Sequence, residues 1–238
     1  MKSISKKIEK RKKWIFHIVL ALLIVSVIYA TYMLLISPTD AASNGYDRVK
    51  SDYVLMILQC IGGIFIIFLP SIVERRFHVD IPDLIEIIYF IFLFCAIYLG
   101  EVRNFYYKIP YWDLILHCFS AAMLGALGFV IVNFLNNNNK LSIQLSPFFV
   151  ALFAFSFAIT CGTVWEVYEF AMDGLFRTNM QKFITASGKV LIGREAIADT
   201  MEDIIVDSLG ALVVAIIGYL DLVKKHSRTA TNGLSSVK

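Results

Sequence analysis

Eight residues in this chain combine side-chain types and spacing that could do chemistry. Glu166, Glu169 and Asp173 stand at i, i+3 and i+7, Asp199, Asp203 and Asp207 at i, i+4 and i+8, and Asp113 and His117 at i and i+4. On a helix each set lines one face. One imidazole among several carboxylates is a donor set for a divalent cation. Oxygen-rich ligation favours magnesium, calcium or manganese, and a histidine with two acids also suits zinc. Such a cation can polarise a phosphoryl or carbonyl group or activate water. Without a metal, His117 and a carboxylate can exchange protons as acid and base, and the same set can serve a proton- or cation-coupled transporter. The candidate metal ligands are therefore Asp113, His117, Glu166, Glu169, Asp173, Asp199, Asp203 and Asp207.

Not all eight demand a function. Asp113, Asp199, Glu202 and Asp203 fall where helices are expected to begin, and there the dipole and capping alone favour negative charge. Helix-end chemistry does not account for His117, Glu166, Glu169 and Asp207, which are the catalytic candidates. His17, His78 and His226 stand singly at edges or tails and read as solvated.

The elements that must position these residues are transmembrane. Of 238 residues, 58% are hydrophobic and only 17% charged, and mean hydropathy is +0.70, far more apolar than a soluble domain. No long period-two alternation suggests a barrel. The fold class is an all-α integral membrane protein, a bundle of about six transmembrane helices. The net charge of +3 comes largely from the termini, and no basic patch interleaved with aromatics suggests a nucleic-acid partner. The partner is the lipid bilayer. Cys60, Cys95, Cys118 and Cys161 all lie in apolar segments without a CxxC pair, as free thiols facing lipid or buried in the core do.

Apolar segments are expected at about 14–36, 53–73, 82–99, 112–135, 146–170 and 201–223. A basic stretch, 1–13, precedes the first, which is too long for a signal-peptide core and reads as a retained helix. The small residues Ala41, Ala42 and Ser43 after Asp40 are the place where a cleaved signal would end. Asp80 and Asp83 open the third segment, and Glu86 one turn on reads as facing the interface. The fourth segment ends in a low-complexity turn, Asn136 to Asn139, and a loop is expected over 172–198. A basic tail, 224–238, closes the chain. Counting Lys and Arg alternately from the N-terminus gives 14 on its side against 8 on the other, so both termini are expected in the cytoplasm.

This topology sends the start of segment four, the end of segment five and the start of segment six to the extracytoplasmic side, and with them all eight candidates. Asp207 lies roughly 12 Å below Asp199 at the helical rise. Small residues at close-packing spacing, Ala121/Gly125 and Ala211/Ala215, mark 112–223 as the working half. The three helices within 14–99 read as a support half.

At these residues the sequence resembles the YjdF-like inner-membrane protein family and, more distantly, VanZ-like membrane proteins. The resemblance rests on Trp112-Asp113-x-x-x-His117, Trp165-Glu166-x-x-Glu169-Phe170, Gln181, and Asp199-Thr200-x-x-Asp203 with Asp207 and Gly210-Ala211. It covers 112–219. Ser120-Ala121-Ala122 replaces a glycine that usually follows the histidine, and Met201 stands where the pattern has glutamine. The resemblance implies a bacterial cytoplasmic-membrane protein, and through the VanZ-like association with resistance to teicoplanin-type glycopeptides it implies a cell-envelope role. Three readings stand open: an accessory or lipid-binding protein, an enzyme acting on an envelope lipid or lipid-linked ligand, and a small-solute transporter.

Overall fold

The computed structural model describes residues 2–39, 48–77, 81–136, 145–185 and 188–235. Asp40 to Ser43, His78, Asp80 and most of the asparagine run lie outside them, as does the side chain of His226. Among the described residues, six helices are long and apolar enough to cross a membrane. Their large apolar side chains stay exposed along the spans, including Val25, Phe65, Leu84, Val130, Phe148 and Val213. A water-soluble bundle would bury these; in lipid they are the solvated face.

The chain divides into two compact units, residues 1–113 with 171–192, and 114–170 with 193–238. The loop 171–192 belongs with the N-terminal unit.

In the first unit, α1 (Lys2–Ile36) is continuous, so the basic stretch is helical and runs unbroken into the first span. Its hydroxyls bond back into the helix, Ser26 Oγ donating to Leu22 O at 2.7 Å and Thr31 Oγ1 to Val27 O at 2.8 Å, which removes their cost in lipid. α2 (Lys50–Ile66) and α3 (Leu69–Phe77) divide the second segment. Pro70 explains the break, because it lacks the N–H that would bond the Ile66 carbonyl. Tyr89 supplies the missing donor, its hydroxyl reaching Ile66 O at 2.6 Å. The core joins Leu23, Met56, Cys60, Phe90 and Ile97, and Gly63 admits Ile97, whose Cδ1 would lie 2.5 Å from an added Cβ.

The third segment is α4 (Asp83–Leu93) followed by a π-helix over Phe94–Val102. Tyr106 packs on Gly100 and donates to Ala96 O at 3.0 Å, and Arg48 donates to the carbonyls of Glu101 and Val102 at 2.5 and 3.2 Å. The widened turn thus keeps its loosened carbonyls satisfied. α5 (Phe105–Lys108) leads to Trp112. Glu86 does not face the interface as expected. It is 3% exposed and paired with Lys12, which also binds Asp83 at 2.6 Å. Buried carboxylates require such a partner, and the early start of α1 delivers it.

The second unit is built from α6 (Trp112–Asn136, from Leu114 onward), α7 (Pro147–Phe176, up to Phe170), a 3₁₀ turn (Gly193–Ile197) and α8 (Ala198–Ser235). α7 runs past the expected end, so Asp173 sits in its last turns and not in a loop, and α8 continues through most of the expected tail. Ala121, Ala158 and Ala211 form its core. A Cβ on Gly128 would lie 2.7 Å from Ala154 Cα, and one on Gly210 would overlap the Cys118 carbonyl oxygen. Backbones touch here because the side chains between them are absent, the packing mode of helices in lipid.

Candidate functional site

The close approach of α6, α7 and α8 sets four ionisable side chains against one another. α6 contributes His117, α7 Glu166, and α8 Asp203 and Asp207, one turn apart. His117 Nε2 lies 3.9 Å from Glu166 Oε1 and 3.8 Å from Asp203 Oδ2, while Nδ1 lies 3.4 Å from Asp207 Oδ1. The imidazole therefore shows one edge to a pair of carboxylates and the other edge to a third. All four residues are buried, at 8, 4, 1 and 2% exposure for His117, Glu166, Asp203 and Asp207.

Three carboxylates around one imidazole, out of contact with water, carry an excess of negative charge that must be balanced by a bound cation or by protons. The spacing bears on which. Donor and acceptor at 3.8 Å are too far apart for a hydrogen bond, which ends near about 3.2 Å. Two ligands of one tetrahedral zinc, each at about 2.1 Å, stand about 3.4 Å apart. Ligand atoms of His117, Glu166 and Asp203 all fall within 4.8 Å of one another, so shifts of a few tenths of an ångström at each would close them on one ion.

Gly162, one turn before Glu166, faces α8. A Cβ there would overlap Asp207 Oδ2 and lie 3.1 Å from its Cγ. The residue composition of the helix gave no hint of this role, but the i, i+4 spacing of Gly162 and Glu166 places them on one face, and that was the available signal. Asp203, for which the helix-start and ligand readings both stood open, is 1% exposed and lies against His117.

The other candidates have different surroundings. Glu169 is buried and accepts from Trp165 Nε1 at 2.9 Å, one turn back on α7. Asp199 stands half-buried at the start of α8, one turn before Asp203. Asp173 organises the loop that follows α7, accepting from Thr178 Oγ1 at 2.7 Å and from the backbone N–H groups of Met180 and Gln181 at 2.7 and 3.0 Å. Asp113 lies 3.7 Å from Lys182 Nζ.

That loop is itself well tied within the first unit. Asn179 donates to Tyr107 Oη at 2.6 Å and brackets Ile184, donating to its carbonyl at 2.7 Å and accepting from its N–H at 2.9 Å. Lys182, held at a left-handed φ of 48°, projects over the Tyr106 ring, 4.7 Å from its centre. Burial pushes the Tyr107 phenol above its usual range, with Lys182 and the Asn179 hydrogen bond pulling it back.

Residues 12–224 match the family described as predicted membrane protein DUF2238. An uncharacterised protein of Thermotoga maritima is 28% identical over 152 residues, 64% of this chain and 70% of that protein. No solved structure matches. With nearly the whole chain inside the match, including every helix of the cluster, the chain belongs to the DUF2238 family of predicted membrane proteins.

Proposed function

We propose that this is a multi-pass protein of the bacterial cytoplasmic membrane whose helices α6, α7 and α8 hold one divalent cation, and that this centre binds or acts on an envelope lipid or lipid-linked ligand. The observation that carries the reading is the convergence of His117 Nε2, Glu166 Oε1 and Asp203 Oδ2, three buried donors from three helices. Three protein ligands leave at least one coordination position for a water or a phosphoryl or carbonyl oxygen of the ligand, the arrangement of reactive rather than structural sites. The distribution of Lys and Arg supports both termini in the cytoplasm and the cluster nearer the extracytoplasmic side. The YjdF-like and VanZ-like resemblance is what suggests the envelope.

A transporter would need polar groups continuing along α6 to α8. Asn133, Ser156 and Thr160 are the ones the sequence offers there, and all three are exposed on the outer face of the helices. Thr160 already donates to Ser156 O at 2.8 Å. This disfavours a permeation path.

The test is the metal content and divalent-cation affinity of the detergent-purified chain beside a folded His117→Ala, Glu166→Gln double variant. About one manganese or zinc ion per chain, lost in the variant, supports the reading. Absence of bound metal from both would overturn it and leave proton chemistry or an accessory role.

A further inference from the structure

The first turns of α1 present their cations on two sides. Lys12 faces inward, meeting Asp83 at 2.6 Å and Glu86 on α4. Val19, Leu23 and Ala30, at i+7, i+11 and i+18 from Lys12, lie on the same side of the helix and are buried. Lys7, Lys10, Arg11 and Trp14 stand at i, i+3, i+4 and i+7 and share the opposite face. All four are exposed, Trp14 at 69%. Ile18, Val25 and Tyr32 carry that face on along the span and are exposed as well. One stripe of α1 is thus apolar through the hydrocarbon, aromatic at its margin and cationic beyond it.

The acids at this end of the first unit are engaged within the protein. Glu9 pairs with Lys13 at 2.7 Å, Asp83 and Glu86 share Lys12, and Glu74 accepts from the Ile81 N–H at 3.1 Å. Among the described residues, Lys7, Lys10 and Arg11 have no carboxylate at ion-pair distance. Arg75 and Arg76, exposed in the last turn of α3, bring two further cations to this end.

The depths match the parts of a phospholipid. At about 1.5 Å per residue, Arg11, Lys10 and Lys7 lie about 4.5, 6 and 10.5 Å beyond Trp14. An indole marks the edge of the hydrocarbon, and the polar layer beyond it is about 5–7 Å thick. Arg11 and Lys10 therefore stand at the level of lipid phosphates, and Lys7 lies within about a Debye length of them. A guanidinium takes a phosphate through two parallel hydrogen bonds, and an ammonium takes it as a point charge.

We infer that this face of α1 binds an anionic phospholipid, whose phosphate is held by Lys7, Lys10 and Arg11 and whose acyl chain lies along Trp14, Ile18 and Val25. The uncompensated positive charge selects a lipid of net negative charge over a zwitterionic one. The inference uses residues of the first unit alone and does not rest on the function proposed above.

The experiment reads lipid contact at Trp14. The full chain and its Trp14→Phe counterpart are reconstituted in bilayers that mix phosphatidylglycerol with phosphatidylcholine, with bromine on the acyl chains of one lipid or the other. The difference in quenched indole fluorescence between the two proteins is the signal from Trp14. Wild type is expected to favour phosphatidylglycerol there by about 5-fold or more, the effect of one cation near an anionic surface. The preference should fall as potassium chloride is raised. In a Lys7→Gln, Lys10→Gln, Arg11→Gln triple variant it should drop to within about 2-fold of none. In the charge-keeping Lys7→Arg, Lys10→Arg, Arg11→Lys variant it should persist. Equal quenching by the two lipids in wild type, or a preference that survives in the glutamine variant, would overturn the inference. Should that variant not reconstitute, the salt titration of wild type decides, because a preference indifferent to potassium chloride overturns it equally.

Discussion

The Tyr89 hydroxyl lies 2.6 Å from the Ile66 carbonyl oxygen, the one carbonyl of α2 that Pro70 cannot bond. A proline four residues along removes the N–H partner, and in lipid no water replaces it. The tyrosine therefore repairs across helices what the proline breaks within one. Tyr89→Phe should destabilise the protein by about 1 kcal/mol, the usual worth of a hydrogen bond between membrane helices. In a Pro70→Ala background the same change should cost almost nothing, since the substituted alanine brings back the backbone donor. Unfolding titrations of the four proteins in mixed micelles measure the coupling, and equal costs in both backgrounds would refute the repair.

Lys12 joins two carboxylates of α4, and Glu86 is nearly fully buried in doing so. Removing the cation leaves Asp83 and Glu86 facing each other one turn apart with no counter-charge. Lys12→Met is therefore expected to be more damaging than Glu86→Gln, at about 3 kcal/mol, the scale for breaking a buried pair. Asp83→Asn should cost least, because Asp83 retains about a third of its exposure. Thermal denaturation in detergent ranks the three.

Helix contacts in the second unit make a sharper comparison between two glycines on neighbouring helices. A Cβ at Gly210 meets the Cys118 backbone carbonyl, which cannot swing aside, whereas one at Gly125 meets Val214 side-chain carbons at 3.5 Å, ordinary contact distance. Gly210→Ala should destabilise by about 1–3 kcal/mol through forced separation of α6 and α8. Gly125→Ala should fall within about 0.5 kcal/mol of wild type. The measurement is again unfolding in micelles, and equal effects would contradict the close approach.

Much of this arrangement was legible in the sequence. Six apolar runs gave six spans, because in lipid the outward face needs no polar pattern and length alone identifies a crossing. The i, i+4 pair Asp203 and Asp207 shared a face as expected, and Ala121 and Ala211 met in the core. Hidden from a linear reading were the contacts that depend on which helix lies opposite. Glu86 looked interfacial because nothing in sequence links it to Lys12, 74 residues away. Asp203 could be read equally as a helix-start acid or as a ligand, because its position near a helix start was visible and His117 opposite it was not. Asp173 has the spacing from Glu166 that a further ligand would have, and what could not be read was that α7 continues past the apolar run and that this carboxylate accepts from Thr178, Met180 and Gln181. The π-helix could not have been foreseen, since the donor that meets its Ala96 carbonyl is Tyr106, which reaches back after the chain has turned.

Asp203 and Asp173 give the clearest separation between a cation ligand and a structural acid. Both are aspartates at helical spacing, but Asp203 is buried against His117 Nε2, while Asp173 has its oxygens occupied by Thr178, Met180 and Gln181. Asp203→Asn replaces a charged oxygen ligand with a neutral one and should lower manganese affinity by about 100-fold or more, beyond what orienting groups contribute. It should leave stability near wild type, because excess buried negative charge is relieved at the same time. Asp173→Ala should do the reverse. Three hydrogen bonds to the loop are lost, at about 1 kcal/mol each before relaxation, so 178–185 should become sensitive to limited proteolysis while manganese affinity changes little. A loss of affinity in Asp173→Ala equal to that in Asp203→Asn would mean that the cation is held by a wider set of acids than His117, Glu166 and Asp203, and that spacing along α7 had identified a ligand after all.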